Sequence, residues 1–545
     1  EFLQMQISTR TGLELEIVVG EPNPVRPSIV VGNVSDFENV ESSEFLKNPE
    51  AYAIWIDDSA DSFRLNVSGS DDRGVLFGVG RLIRELYLTD GFIAVASDIN
   101  IVDTPGDQLR AQQIISNVQG EDKFMDWDDS EDVKQFVDDM IIFGANGFEP
   151  TKPELIDDYL ENLGLDLFIK LKCQDIIDLN EEEDATIKEF FAAYKGVDHI
   201  TTYGGDASGS VEPSLFFPYL DRVIPQLTDS QAGAKWWYSN QCLEDHAKDF
   251  DEYIFDFINT NKPDYLYGMV YGPWTKRGIT EIRADLPAQY VMRHFPDICH
   301  PRWAQYPVPQ WDRAFAQVWE RNKSIYAMPE MMLDIYRATR ENTVGSLPYN
   351  HTGVYNDLNK FAWSAAGWNP EVEIDDLLHD YAKAFVVHDF EKLPSGIARA
   401  SNLSKIEFLE KAEDYVVKGL SLLEANWKRE LIDNETTEEA LDYWISIADC
   451  IGGADKNWRV EMFLYKARVD AQIKRKVDIE KRIEDEVYQH IAEVKLWNQK
   501  TVVNHVNTIF DKVNTEFQSK VKFLAELDAL GLTGRYGDID RITSN

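Results

Sequence analysis

The sequence predicts a three-part α/β protein: an α+β block, a (β/α)8 barrel and a helical bundle. Eight short β-like runs alternate with helical patterns over about residues 109–349, which is the count and size of a (β/α)8 barrel. Residues 1–105 instead mix strand-like alternation with two helical stretches, and beyond Asn369-Pro370 helical periodicity takes over. The expected parts are 1–105, 106–370 and 371–545, since a chain of 545 residues exceeds what one core supports.

In the first part Glu1–Gly12 reads as a helix. Glu14–Val19, Ser28–Val31, Tyr52–Ile56 and Ser62–Val67 read as strands. Ser70-Asp71-Asp72-Arg73-Gly74 supplies polar caps for a helix over Val75–Tyr87, and Asp103-Thr104-Pro105-Gly106 closes the block as a turn. The barrel strands are expected at Arg110–Ile115, Gly147–Glu149, Leu167–Lys172, His199–Tyr203, Lys235–Ser239, Tyr265–Tyr271, Val291–Phe295 and Val344–Leu347. Helical stretches at Glu131–Phe143, Ala185–Tyr194, Leu215–Leu227 and Leu243–Asn259 separate several of them. An open doubly wound sheet would carry a glycine-rich phosphate loop after its first strand, and none follows here. In the last part Trp458, Met462, Tyr465, Val469 and Ile473 fall on one helix face, a habit continued by Val487, Ile491 and Val494. That stripe is a packing face, and the helical part is the candidate surface for a homodimer.

Composition narrows the partners. With 96 acidic against 54 basic residues the net charge is −42, a field that repels phosphate backbones and anionic membranes, so no nucleic acid and no membrane is expected. Cys173, Cys242, Cys299 and Cys450 lie far apart, and the nine histidines form no ligand-spaced motif. No metal and no cofactor is therefore expected. No apolar run approaches the ~18–20 residues of a membrane span. The sequence opens inside a helix-like stretch, which suggests that a leader has been removed and favours a periplasmic or secreted location.

The strand ends carry the chemistry. Strand two ends in Glu149, and strand four runs into Tyr203-Gly204-Gly205-Asp206-Ala207-Ser208-Gly209. Strand five ends in Trp236-Trp237-Tyr238-Ser239-Asn240-Gln241, strand six in Tyr271-Gly272-Pro273-Trp274 and strand seven in Pro296-Asp297-Ile298-Cys299-His300. The loop after strand eight holds His351, Asp357, Asn359 and Lys360. In such barrels the C-terminal strand ends form the active face. Glycosidic cleavage needs two carboxyl groups flanking one bond, and aromatic rings and amides to hold the sugar. The catalytic candidates are Asp206, Asp297, Glu149 and Asp357. The substrate-contact candidates are Trp237, Asn240, Tyr271, Trp274, His300, His351 and Asn359. Each has a structural counterpart: Asp206 and Asp357 as helix caps, Asp297 as a turn residue, His300 as a buried histidine. Trp236 and Trp237 are adjacent, so only one of them faces a ligand.

Several segments match a family. Ser70-Asp71-Asp72-Arg73-Gly74-Val75-Leu76-Phe77-Gly78-Val79-Gly80-Arg81-Leu82 resembles the hallmark of the non-catalytic α+β domain that precedes the barrel in β-N-acetylhexosaminidases and bacterial α-glucuronidases. The Tyr203–Gly209, Pro296–His300, Gln305–Asp312 and Val354–Lys360 segments look like motifs of hexosaminidase-like or α-glucuronidase-like bacterial glycoside hydrolases, and Asn457-Trp458-Arg459 through Ala471 is similar to their helical C-terminal domain. The resemblance implies a TIM barrel between a hexosaminidase-type α+β domain and a helical domain. It also implies an exo-acting glycosidase that takes a terminal sugar from an oligosaccharide or polysaccharide, complex or acidic, in bacterial carbohydrate metabolism. Asp206 follows strand four, where these families keep their general acid, and Asp297 would complete the pair. The chain departs from hexosaminidases at Ala207, which stands where their catalytic glutamate follows Gly-Gly-Asp, and Asn350-His351-Thr352-Gly353 lacks the glutamate of the related group. The alternative is a non-catalytic carbohydrate-binding protein on a degenerate glycosidase barrel.

Overall fold

The computed structural model describes residues 1–493 apart from 21, 38–43, 58–61, 116–123, 172–184, 186, 187, 190, 195, 204–212, 229–232, 242–246, 274, 276, 300–326, 350–355, 396, 398–402 and 429–435. The chain forms two compact units. One contains residues 1–116, 125–298 and 329–384, and the other contains residues 117–124, 299–328 and 385–545.

The first unit opens with a helix, Phe2–Thr11, ended by Gly12 in the left-handed conformation. A four-stranded sheet follows, built from β1 (Ser28–Asn33), β2 (Tyr52–Ile56), β3 (Arg64–Gly69) and, after the hairpin strands β4 (Tyr87–Thr89) and β5 (Phe92–Ala94), β6 (Asn100–Asp103). Its order is β1-β3-β2-β6, with β1 parallel to β3 and the other pairs antiparallel. The helix Asp72–Glu85 packs on it, and its first turn is capped as the sequence suggests, with the Asp71 carboxylate accepting from the Gly74 amide at 2.7 Å.

One expectation fails in this region, and one element appears that the sequence reading did not include. Glu14–Val19 forms no strand: Ile17, Val18 and Val19 are 52, 65 and 98% exposed. Alternating residues become a strand only when another strand pairs with them, and here the fourth place in the sheet is filled by Asn100–Asp103. The hairpin around Asp90-Gly91 is the second difference. Gly91 sits at φ +62, the conformation that an Asp-Gly turn uses.

The barrel closes as expected. Its strands are β7 (Leu109–Ile114), β8 (Gly147–Pro150), β9 (Asp166–Leu171), β10 (Val197–Tyr203), β11 (Lys235–Ser239), β12 (Leu266–Tyr271), β13 (Val291–His294) and β14 (Gly345–Ser346), all parallel and joined in a ring. Leu109, Ala111, Phe168, Trp237, Val270, Phe295 and Leu347 fill its interior. The seam is the shortest strand, β14. Gly345 lies at φ +135, and a Cβ there would stand 1.9 Å from the Leu109 carbonyl oxygen, so only glycine lets the eighth strand reach the first. Helices Ser130–Ile142, Pro213–Thr228, Ala247–Asn261, Pro329–Thr339 and Asp357–Trp368 belong to the same unit, as does most of the helix Ile374–Phe385.

One buried charge ties the α+β sheet to the barrel. Arg110 on β7 is fully enclosed and gives a 2.5 Å hydrogen bond to the Glu50 carboxylate. Its other nitrogens reach the Gly144 and Asp107 carbonyls at 2.7 and 2.6 Å, and its guanidinium lies over the rings of Phe77 and Trp368. Asn146 donates to the other Glu50 oxygen at 3.3 Å and accepts the Arg110 amide at 2.8 Å. An ion pair this dry persists only because each of its remaining polar atoms has a partner.

In the second unit the helices Lys405–Lys428, Thr436–Cys450 and Trp458–Glu493 pack together. Met462 and Val469 of the expected stripe are buried, whereas Trp458 and Tyr465 are only partly so. Lys466 and Asp470, one turn apart, form a fully enclosed pair at 2.5 Å, with Asn426 also on Asp470. Burial drives the Lys466 ammonium down to about 8 despite the carboxylate beside it. Val494 lies outside the described residues.

Removing the Glu50 charge should expose how far the first unit depends on this junction. Glu50→Gln leaves Arg110 charged and buried, and should lower unfolding stability by about 3–5 kcal/mol. Urea unfolding followed by tryptophan fluorescence would measure it, and an unchanged midpoint would contradict the assignment.

Candidate active site

Glu149 lies near the C-terminal end of β8, in register with Gln113 of β7. The Gln113 amide donates to Glu149 Oε1 at 2.7 Å, and Lys170 Nζ of β9 stands 3.2 Å from the same oxygen. Glu149 is 2% exposed, and its Oε2 has no hydrogen-bond partner. One oxygen is thus fixed by two partners while the other has none. Lys170 is the more open of the pair, with 30% of its side chain exposed, and its ammonium lies 5.6 Å from the Phe295 ring centre. Lys360, on the helix Asp357–Trp368, donates to the Gln113 carbonyl at 2.5 Å and so braces the first strand from outside.

Phe295 leads into Asp297, two residues further along the seventh strand. Beyond the last ladder residue the chain still pairs with the eighth strand. Asp297 bridges Tyr349, the Tyr349 amide donates to the Pro296 carbonyl at 2.8 Å, and the Ile298 amide donates to the Tyr349 carbonyl at 3.1 Å. This extension holds Asp297, 4% exposed, past the end of the strand. Glu149 and Asp297 therefore both belong to the C-terminal rim, with Lys170 and Phe295 between them.

The fifth strand contributes two carboxamides. Asn240 Nδ2 donates to Asp251 Oδ1 at 2.5 Å, and Arg277 lies 3.4 Å from the other Asp251 oxygen. Burial raises the Asp251 carboxyl above the usual range, opposed by those two partners. A carboxylate accepts only, so the Asn240 amide is locked with its Oδ1, which has no partner, directed away from Asp251. Gln241 is 1% exposed and its Oε1 is also without a partner. Tyr271 is half-buried, its ring 5.4 Å from that of His294.

Three candidates occupy places unlike the strand-end platform the sequence suggests. Trp237 is the middle residue of β11, 1% exposed within the barrel core, and its indole N–H donates to His199 Nδ1 at 2.9 Å. Of the tryptophan pair it is the inward one, but it faces the protein's own core. Asp357 is fully buried in the first helical turn, where Tyr381 donates to both its oxygens at 3.1 and 3.2 Å. Asn359, also fully buried, donates to the Ile298 carbonyl at 3.3 Å and steadies the strand-seven extension. Asp206, Trp274, His300 and His351 lie outside the described residues. Among the described residues no group of histidine, cysteine and carboxylate side chains is arranged to hold a metal ion.

Beneath the rim lies a second polar chain. His199 Nδ1 takes the Trp237 N–H, so its Nε2 carries the proton facing Asp166 at 3.2 Å, and Arg73 from the hallmark motif pairs with the other Asp166 oxygen. Burial alone would raise the Asp166 carboxyl, but the His199 hydrogen bond and the Arg73 charge hold it at about 2. Burial also lowers His199, keeping the imidazole neutral. Arg293 donates to Thr201 at 3.0 Å and lies 5.4–5.8 Å from the Phe168, Trp237 and Phe295 rings. Gln113, Lys170, Gln241 and Arg293 were passed over in the sequence. Their signal was a polar residue at an inward position of a period-two strand, two after Ala111, Phe168, Ser239 and Val291 respectively.

No family model and no curated protein matches the sequence. Solved structures do. A family GH115 4-O-methyl-α-glucuronidase with specificity for decorated arabinogalactans aligns with a TM-score of 0.54 and 11% identity over 99% of this chain and 75% of that one. A GH138 enzyme targeting pectin rhamnogalacturonan II aligns with a TM-score of 0.51 and 12% identity over 94% and 71%. A family 89 glycoside hydrolase from Clostridium perfringens, in complex with GlcNAc-α-1,4-galactose, aligns with a TM-score of 0.52 and 9% identity over 87% and 61%. At such identities the likeness is one of fold: this chain shares the architecture of these glycoside hydrolases.

Trp237→Phe keeps an aromatic side chain but removes the five-membered ring and with it the N–H that His199 Nδ1 accepts. Leaving that buried nitrogen unpaired should cost about 1–3 kcal/mol of stability, read as a shifted urea midpoint. A variant as stable as the wild type would contradict the core assignment.

Proposed function

We propose that the chain is an exo-acting glycoside hydrolase that removes a terminal sugar from a complex or acidic glycan. The observation that carries the reading is that Glu149 and Asp297 are two buried carboxylates at C-terminal strand ends of a closed (β/α)8 barrel, and that Glu149 Oε2 has no hydrogen-bond partner. Buried carboxylates are costly to keep unless they have partners or a task. The fold neighbours, an α-glucuronidase among them, support the same reaction class.

In the proposed reaction one carboxylic acid protonates the glycosidic oxygen while a second carboxylate, on the other face of the sugar, acts as base or nucleophile. Asp206, after strand four, takes the acid role and Asp297 the second. Glu149, held by Lys170 and Gln113, is placed to stabilise the positive charge that grows on the ring. Lys170 itself, partly open beside the rim, is suited to the carboxylate of an acidic sugar. Asp357 and Asn359 hold the helix start and the strand-seven extension in place. Among the described residues no helix is long and apolar enough to cross a membrane, and a glycan substrate favours action outside the cytoplasm. Ala207, at the place of the hexosaminidase glutamate, favours a second reading, a sugar-binding barrel without turnover.

Asp206→Asn separates chemistry from folding. It should retain the wild-type melting temperature and lower turnover of an aryl glycoside by a factor on the order of 10²–10⁴, the usual worth of a general acid. A variant that melts early while its folded fraction keeps full activity would make Asp206 a structural cap.

A further inference from the structure

We infer that Gln241 is a substrate-binding residue of the barrel mouth, that it holds two neighbouring hydroxyls of the terminal sugar, and that Gly272 makes room for it. The inference rests on the glycosidase reading above and adds to it a specific contact.

Trp237 points into the barrel core, and strand alternation carries Ser239 and Gln241 onto the same inward face. Gln241 lies two residues beyond the end of β11, so its side chain stands above the packed layers, at the level of the rim. The next strand yields to it. A Cβ built on Gly272, the residue after β12, would fall 2.6 Å from Gln241 Nε2, and 3.2 Å from both Phe295 Cδ1 and the Phe295 carbonyl oxygen. The amide thus lies against a bare stretch of backbone between strands five and seven, beside the same Phe295 ring that Lys170 approaches on its way to Glu149.

Its chemistry is that of a ligand contact. The side chain is 1% exposed, yet Oε1 has no hydrogen-bond partner. Core carboxamides are normally satisfied by the protein, as Asn240 is in part through Asp251. A carboxamide presents an acceptor and a donor side by side. Two adjacent sugar hydroxyls match that pair, one donating to Oε1 and the other accepting from Nε2. Glutamate could not replace it, because it would exchange the donor for a second acceptor and bring a charge into a buried position.

The test uses the full-length chain and 4-nitrophenyl glycosides of N-acetylglucosamine, glucuronic acid and galactose in both anomers, with binding of the free sugars followed by calorimetry. Gln241→Ala should keep the wild-type melting temperature and lower kcat/KM on the cleaved glycoside by about 10- to 100-fold, as expected when a buried hydrogen-bonding group is lost. Gln241→Glu, of equal size, should show a loss of the same order, and it keeps the test valid if the alanine variant fails to fold. Gly272→Ala displaces chiefly the flexible end of Gln241, while Phe295, at 3.2 Å, has to give by a few tenths of an ångström. It should lower kcat/KM by itself but add little in the Gln241→Ala background, the non-additivity of residues that share one contact. Wild-type kinetics in Gln241→Ala and Gln241→Glu, on a glycoside that the parent cleaves, would overturn this inference alone. Fully additive losses would overturn the role given to Gly272. A parent chain that neither binds nor cleaves any of these sugars would overturn the proposed function, and this contact with it.

Discussion

Arg110 brings a permanent charge to a place where water does not reach, and the surrounding architecture is what makes that tolerable. Its guanidinium draws together Glu50 from the α+β sheet, the Gly144 and Asp107 carbonyls at the base of the barrel, and the rings of Phe77 and Trp368. Glu50 adopts a left-handed backbone, φ 62, to meet it. A non-glycine residue held there is strained, and such strain persists only where neighbouring contacts over-determine the geometry. Arg73, from the Asp-Asp-Arg-Gly motif, bridges Glu50 and Asp166. The same cluster therefore anchors the first and third barrel strands to the sheet.

With its base fixed, the barrel can afford an irregular rim. The eighth strand has two residues, and the seventh continues past its ladder through Asp297 and Tyr349. The polar atoms of the interior divide by level. Lower down, Asp166, His199 and Trp237 satisfy one another and stabilise the fold. At the rim, Glu149 Oε2 and Gln241 Oε1 are enclosed and have no hydrogen-bond partner. Buried polar atoms without partners are uncommon in native proteins. Those of Glu149 and Gln241 stand out among the unpartnered atoms because they lie at C-terminal strand ends, where barrels of this type bind ligands.

The barrel strands were legible in the sequence because most are short, strand-like runs between turn residues, and their alternation with helices left few other folds. Glu14–Val19 was misread because period-two patterning reports suitability for a strand, whereas a strand also needs a free edge beside it. The Asp90-Gly91 hairpin carried its signal openly. Glu149 and Asp297 could be placed on the rim by counting to strand ends. Trp237 could not be placed, since adjacent residues on a strand face opposite ways and only the register shows which one meets the core. Gln241 was hidden for a different reason: its significance comes from the bare backbone of Gly272, on another strand, and from a missing hydrogen bond.

The most direct test is release of free monosaccharide, followed by anion-exchange chromatography, from oligosaccharides ending in N-acetylhexosamine, hexuronic acid or galactose across pH 4 to 9. An exo-acting glycosidase predicts that one of them loses single sugars from its non-reducing end. A sugar that binds to the chain and is never cleaved anywhere in that range would contradict the account and leave a carbohydrate-binding barrel.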